Sequence, residues 1–123
     1  MGYHVVDPAE LDPEPDRPSE MKYVSEAAGM DNLGLRTYRV EPGEEIPLSG
    51  LHYHDEQEEV FYVIEGTLSV ETPEDLYSVE AGQFFVAEPG SAHRAHNADD
   101  ATEDVRVVGM GAPPVSDGHS YEE

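Results

Sequence analysis

Cysteine is absent from the 123 residues. That removes thiolate ligands, disulfides and a cysteine nucleophile, so any bound metal must be held by nitrogen and oxygen. Long apolar runs are absent too. No stretch approaches the length of a membrane-crossing helix, and the opening Met1-Gly2-Tyr3-His4 has neither the basic region nor the apolar core of a signal peptide. A cytoplasmic protein with no membrane partner is expected. Positive charge is the third shortage: 6 Lys+Arg stand against 28 Asp+Glu, and the only lysine is Lys22. Nucleic acid is not an expected partner, because backbone recognition needs cations to neutralise phosphates.

The formal charge of -22 lies far beyond the magnitude of about 2 to 8 usual for a small soluble domain. Intrinsic disorder is one consequence of such a balance. It does not suit the middle of the chain, where Tyr, Phe, Val and Ile recur at strand spacing, although it can hold for the ends. An acid-rich surface is tolerable in concentrated salt, where the Debye length falls to about 3 Å at roughly 1 M and self-repulsion is screened. The composition resembles that of proteins from salt-accumulating halophilic archaea.

One domain is expected, since the length suffices for a single hydrophobic core and not for two. Residues 1–30 contain a proline-rich span, Pro8 to Pro18, that excludes a regular helix or central strand and suits an extended arm. From Leu33 onward, short strands alternate with Gly and Pro turns: Leu33 to Val40, Ile46 to His54, Val60 to Ile64, Thr67 to Glu71, Leu76 to Val79, Gln83 to Ala87, Ala92 to Asn97 and Val105 to Met110. Even spacing of this kind favours an all-β sandwich or barrel. Residues 31–111 form the expected domain and 112–123 a tail.

Chemistry concentrates around His52-Tyr53-His54. Successive side chains of a strand point to opposite faces, so the two histidines share one face. In the next strand Glu59, Phe61 and Val63 lie on one face and Val60, Tyr62 and Ile64 on the other. Glu59 stands out at the head of an otherwise apolar strand, because burying a carboxylate is expensive unless it is paired or bound to a metal. If it faces the interior with His52 and His54, three ligands come from two neighbouring strands. His93, in the segment Glu88-Pro89-Gly90-Ser91-Ala92-His93, can supply a fourth.

The order His52-x-His54, Glu59, Gly66, followed by Gly82, Gly90, His93 and Asn97, resembles the two motifs of the cupin superfamily over roughly residues 31 to 111. Two positions depart from it: Ile46 stands where the first motif begins with glycine, and Glu88 where the second has proline. Neither removes a ligand. The resemblance implies a cupin-type double-stranded β-helix, a jelly-roll barrel, with the extended N-terminal arm packed on it. It also implies one divalent transition metal per chain, Zn, Mn, Fe or Ni, held by His52, His54, Glu59 and His93. Small cupins often form dimers, so a homodimer is expected.

Imidazole with carboxylate suits these ions better than magnesium, which prefers an oxygen-rich shell. Four protein ligands leave open positions on a five- or six-coordinate ion and none on tetrahedral zinc. Phe61, Val63, Phe84 or Phe85, Val86 and Met110 are expected in the core, some of them around the ion. His96 is expected at the surface or behind the ligands, and Asn97 tying down a loop. Arg36 and Arg39 point to opposite faces. A surface arginine answering nearby acids is the commoner role, while an interior Arg36 would favour an anionic substrate.

A metal-dependent oxygenase acting on a small organic molecule is the first functional expectation. The alternatives are a sugar or sugar-phosphate isomerase or epimerase, which needs a separate base, and a non-catalytic ligand-binding or sensing protein. No catalytic residue beyond the metal ligands is identifiable. The charge makes one prediction independent of chemistry. The circular-dichroism signal should weaken as salt is lowered from molar to millimolar; an unchanged spectrum contradicts the salt-adapted reading.

Overall fold

A computed structural model of the chain describes residues 2–46 and 50–122. After a 3-10 turn at Pro8–Glu10 come β1 (Glu20–Tyr23), the short helix α1 (Val24–Ala28), β2 (Gly34–Val40), β3 (His52–His54), β4 (Glu58–Glu65), β5 (Thr67–Glu71), β6 (Leu76–Glu80), β7 (Phe84–Ala87), β8 (Arg94–His96), β9 (Val105–Ala112) and β10 (Gly118–Ser120). All named strand pairs are antiparallel. The expected extended stretch from Ile46 to His54 is a regular strand only over β3, and its residues 47–49 lie outside the described residues.

The strands form three sheets: a five-stranded sheet in the order β1-β2-β9-β4-β7, a three-stranded sheet β6-β5-β8, and the pair β10-β3. Phe61, Val63, Val40, Val105 and Val107 from the first pack with Leu68, Val70, Val79 and Ala95 from the second in one core. The expected closed barrel is corrected here. Among the described residues no sheet closes on itself, and isolated bridges at Glu45–His96 and His52–His93 lie outside the named strand ladders. Alternating apolar residues require only that each strand bury one face, which two facing sheets achieve as well as a closed one. Closure depends on whether edge strands hydrogen-bond, and alternation does not encode that.

The N-terminal segment is more than an extended arm. Glu20 to Tyr23 pair with Arg39 to Arg36 and make β1 the edge of the large sheet, burying Met21 fully. At the other end, Gly118 to Ser120 pair with His54 to His52, so residues expected to form part of a tail complete the ladder beside two histidines. Of Phe84 or Phe85, it is Phe85 that packs on the core, while Phe84 is 61% exposed. Val86 is a correction as well: it stands on the outer face of β7, 58% exposed.

Side-chain size along the inner face makes room for a site. Gly34, Gly111, Glu59 and Ala87 are aligned across four adjacent strands, and Arg36, Gly109, Phe61 and Phe85 form a second such row. On β9, Gly109 and Gly111 leave space for side chains from both neighbours. A Cβ at Gly109 would lie 2.6 Å from Cε2 of Tyr38, and one at Gly111 would lie 2.6 Å from Cδ of Gln57. The Gly109→Ala variant should therefore lose about 1–3 kcal/mol through overpacking. Chemical denaturation checks this, and a midpoint equal to the parent's would contradict the packing described.

Candidate metal centre

β3 is only three residues long, yet it fixes two ligands because pairing on both sides pins its backbone. Along one side it pairs with β10. On the other, His52 N–H donates to the carbonyl of His93 at 3.1 Å and His93 N–H donates to that of His52 at 2.9 Å. The histidines of both expected motifs are thereby locked together through their main chains. Alternation along β3 turns His52 and His54 inward and leaves Tyr53 half-buried. Glu59 enters from β4 above the small-residue row. All four side chains are buried, and one ligand atom from each lies within 4.8 Å of the others. The structure thus brings together all four residues expected from the sequence.

Each imidazole is oriented through its Nδ1. His52 Nδ1 donates to the carbonyl of Gly50 at 3.2 Å, His54 Nδ1 to the Asp117 carboxylate at 3.0 Å, and His93 Nδ1 to the carbonyl of Ser91 at 2.9 Å. Acceptors at all three Nδ1 positions assign the protons there and leave the Nε2 positions for the interior. His54 Nε2 is buried without a hydrogen-bond partner among the described residues, 3.7 Å from Glu59 Oε2. A buried polar atom left unpaired is costly, and a cation between these groups would satisfy it. The donor set, three imidazole nitrogens and one carboxylate with fixed tautomers, fits a divalent transition metal.

Without a cation, protons carry part of that role. His93 Nε2 lies 2.6 Å from Glu59 Oε1. Burial acts to lower the His93 pKa, but the hydrogen bond and charge of Glu59 outweigh it and raise the value. Burial would likewise raise the Glu59 pKa, and the contact with His93, helped by Arg36 and His54, holds it below the usual range. His52 has no such partner, and burial pushes its pKa down. The site therefore contains a carboxylate held ionised and an imidazole inclined to remain neutral, the forms that bind metal.

The cluster opens on a cavity of about 220 Å3 lined by Arg17, Tyr23, Arg36, Gln57 and the segment Val115 to Gly118. Arg36 takes the interior role, with its Nη2 3.6 Å from Glu59 Oε2. Two contributors were not anticipated from the sequence. Asp117 orients His54 and also accepts from the backbone N–H groups of Glu56 and Gln57; burial acts to raise its pKa, and these hydrogen bonds together with His54 outweigh it and hold the carboxyl below the usual range. Gln57 packs over Gly111 and donates to the carbonyl of Pro113. Nothing local marks Asp117 within an acid-rich chain. Asn97 does bind main chain, donating to the carbonyls of Val40 and Glu103. His96 is partly buried on β8, away from the four-residue cluster.

Fold and site together define a β-sandwich protein with an internal His3Glu centre able to coordinate a metal. Residues 36–109, more than half of the chain, match the family model described as Cupin domain, and the chain belongs to that family. It is 33% identical over 112 residues to a Streptomyces cyaneus protein named polyketide synthase CurC, spanning 88% of this chain and 68% of that one. Among solved structures, it resembles an uncharacterised double-stranded β-helix protein from Klebsiella pneumoniae, with a TM-score of 0.76 and 21% identity over 99% of this chain and 100% of the other. A protein from Acidithiobacillus ferrooxidans, provisionally named a sugar phosphate isomerase, gives a TM-score of 0.67 at 26% identity, covering 76% of this chain and 58% of that one.

Two kinds of substitution test the centre. His52→Ala and His93→Ala should each abolish stoichiometric metal measured by plasma mass spectrometry after dialysis, whereas full retention would contradict ligation. Asp117→Asn removes the charge that orients His54 and should weaken metal binding by about 10- to 100-fold; an unchanged affinity would show that the orienting contact is dispensable.

Proposed function

We propose that the chain is a metal-dependent oxygenase acting on a small, oxygen-rich organic molecule of polyketide type. The observation that carries the metal-dependent part is the convergence of three Nδ1-anchored imidazoles and one carboxylate, with His52, His54 and Glu59 of that cluster lining a cavity. The substrate class draws support from the relative named as a polyketide synthase, whose length this chain largely spans. A bound Fe or Mn ion would supply a Lewis-acidic and redox-active centre with positions free for exogenous oxygen ligands.

The protein's own contribution is positioning. Gly50, Asp117 and Ser91 fix the imidazoles, while Gln57 and the Val115 to Gly118 segment enclose one side of the cavity. The alternative with a specific observation behind it is isomerisation, supported by the relative provisionally named a sugar phosphate isomerase. That reaction needs a base to move a proton between carbons. The two carboxylates lining the cavity, Glu59 and Asp117, are both already engaged, which favours the oxygenase. We place the activity in a salt-rich cytoplasm on the strength of the -22 charge.

The deciding experiment supplies the Fe- or Mn-loaded protein with a panel of β-diketones and phenolic polyketones in an oxygen electrode, followed by product mass analysis. Oxygen uptake with oxygen incorporated into product is expected. Turnover of a sugar phosphate to a product of unchanged mass would replace this reading with isomerisation. Stoichiometric binding without turnover of either substrate class would replace it with a ligand-binding role.

A further inference from the structure

The metal centre leaves Arg36 without a satisfied role. Three other cations have hydrogen-bond partners: Lys22 donates to the carbonyl of Pro8, Arg39 bonds Glu20 and Asp104, and Arg94 bonds Glu45. The Arg36 side chain is 14% exposed, and its Nε and Nη2 are buried with no hydrogen-bond partner among the described residues. Its nearest recorded carboxylate oxygen, Glu59 Oε2 at 3.6 Å, lies beyond normal hydrogen-bond reach. Leaving a buried guanidinium incompletely bonded is expensive.

The simpler explanation makes Arg36 a counter-ion for Glu59. Glu59 already has a partner in His93, which bonds its Oε1. A divalent ion among the four ligand atoms would take that proton's place and neutralise Glu59 more fully, making a neighbouring guanidinium unfavourable unless an anion joined them. Arg36 itself lines the cavity, together with Glu59, His52 and His54. Arg17 adds a second guanidinium to the lining. With a divalent cation and two arginines against Glu59 and Asp117, the cavity is a positive site inside a strongly negative chain. Anions repelled by the surface as a whole would be favoured there.

We propose that Arg36 binds the oxyanion of an acidic substrate, a carboxylate or a phosphate, within the cavity beside the metal centre. This rests on the metal-dependent reading above and adds the charge class of the substrate. The planar fork of the guanidinium offers parallel N–H donors to two oxygens of one anion. Bound in this way, the anionic end is held beside the metal centre while the rest of the molecule fills the space toward Tyr23 and Val115. Arg36 is a binding residue and needs no change of protonation.

Calorimetric titration of the metal-loaded full chain with malonate, inorganic phosphate and neutral malonamide tests the proposal, at the lowest salt that keeps the native circular-dichroism spectrum. At least one anion should bind, with Arg36→Gln weakening it by about tenfold or more and Arg36→Lys, which retains charge but loses the fork, by less. Malonamide should show no dependence on Arg36. The preferred anion separates a carboxylate substrate from a phosphate ester. Metal content, measured on the same samples, should remain stoichiometric in both variants.

Equal anion affinity in parent and variants, or no anion binding by the parent at millimolar concentration, would overturn the proposal. If Arg36→Gln does not fold, Arg36→Lys supplies the comparison. Titration after chelation separates the two readings. A parent that holds no metal defeats the metal-dependent function, while the dependence of anion binding on Arg36 still decides this inference.

Discussion

A buried carboxylate at the head of a sheet strand is the constraint on which the rest of this structure depends. Glu59 points into the interior from β4, where an isolated charge would be prohibitively costly. His93, His54 and Arg36 converge on it from separate elements. Space for that convergence comes from its neighbours across the sheet, Gly111 on one side and Ala87 on the other. The main-chain exchange between His52 and His93 then fixes the distance between the histidine-bearing segments. Packing, polar satisfaction and ligand geometry therefore meet at one side chain.

Surface and interior have opposite electrostatic designs. The surface is acidic, whereas the cavity brings two arginines and two imidazoles to two carboxylates, with His93 completing the cluster behind them. Such a contrast makes the protein selective in a physical sense: a cation is drawn to the carboxylate, and an anion is drawn to the cation and the guanidinium. The family fold alone does not determine which reaction follows, because one architecture supports unrelated chemistries.

The candidate ligands were legible through two signals, the strand pattern around His52, His54 and Glu59, and the resemblance to the cupin motifs, which supplied His93 and singled out Glu59 among its acidic neighbours. His52 and His54 obey strand alternation, and Glu59 interrupts an apolar pattern for which only pairing or ligation compensates. Most strands were legible for the same reason. Features that depend on distant pairing were not. Asp117 meets His54 across 63 positions, and β10 finds β3 through backbone bonds that side-chain patterning does not announce. β1 was hidden among prolines, and the open sheet edges left no mark distinguishing a sandwich from a barrel. Arg36 fell between these cases: alternation separated it from Arg39, but choosing the inward residue required knowing that Tyr38 is buried beside it.

The central claim is that Glu59 is buried because it shares one metal ion with three histidines. Anomalous diffraction from crystals of protein purified with its native metal tests this most directly. The account predicts one ion about 2.0–2.2 Å from Nε2 of His52, His54 and His93 and from a Glu59 oxygen. An ion located elsewhere, or a metal-free interior in which Glu59 remains bonded only to His93 and Arg36 in protein shown to retain activity, would contradict it.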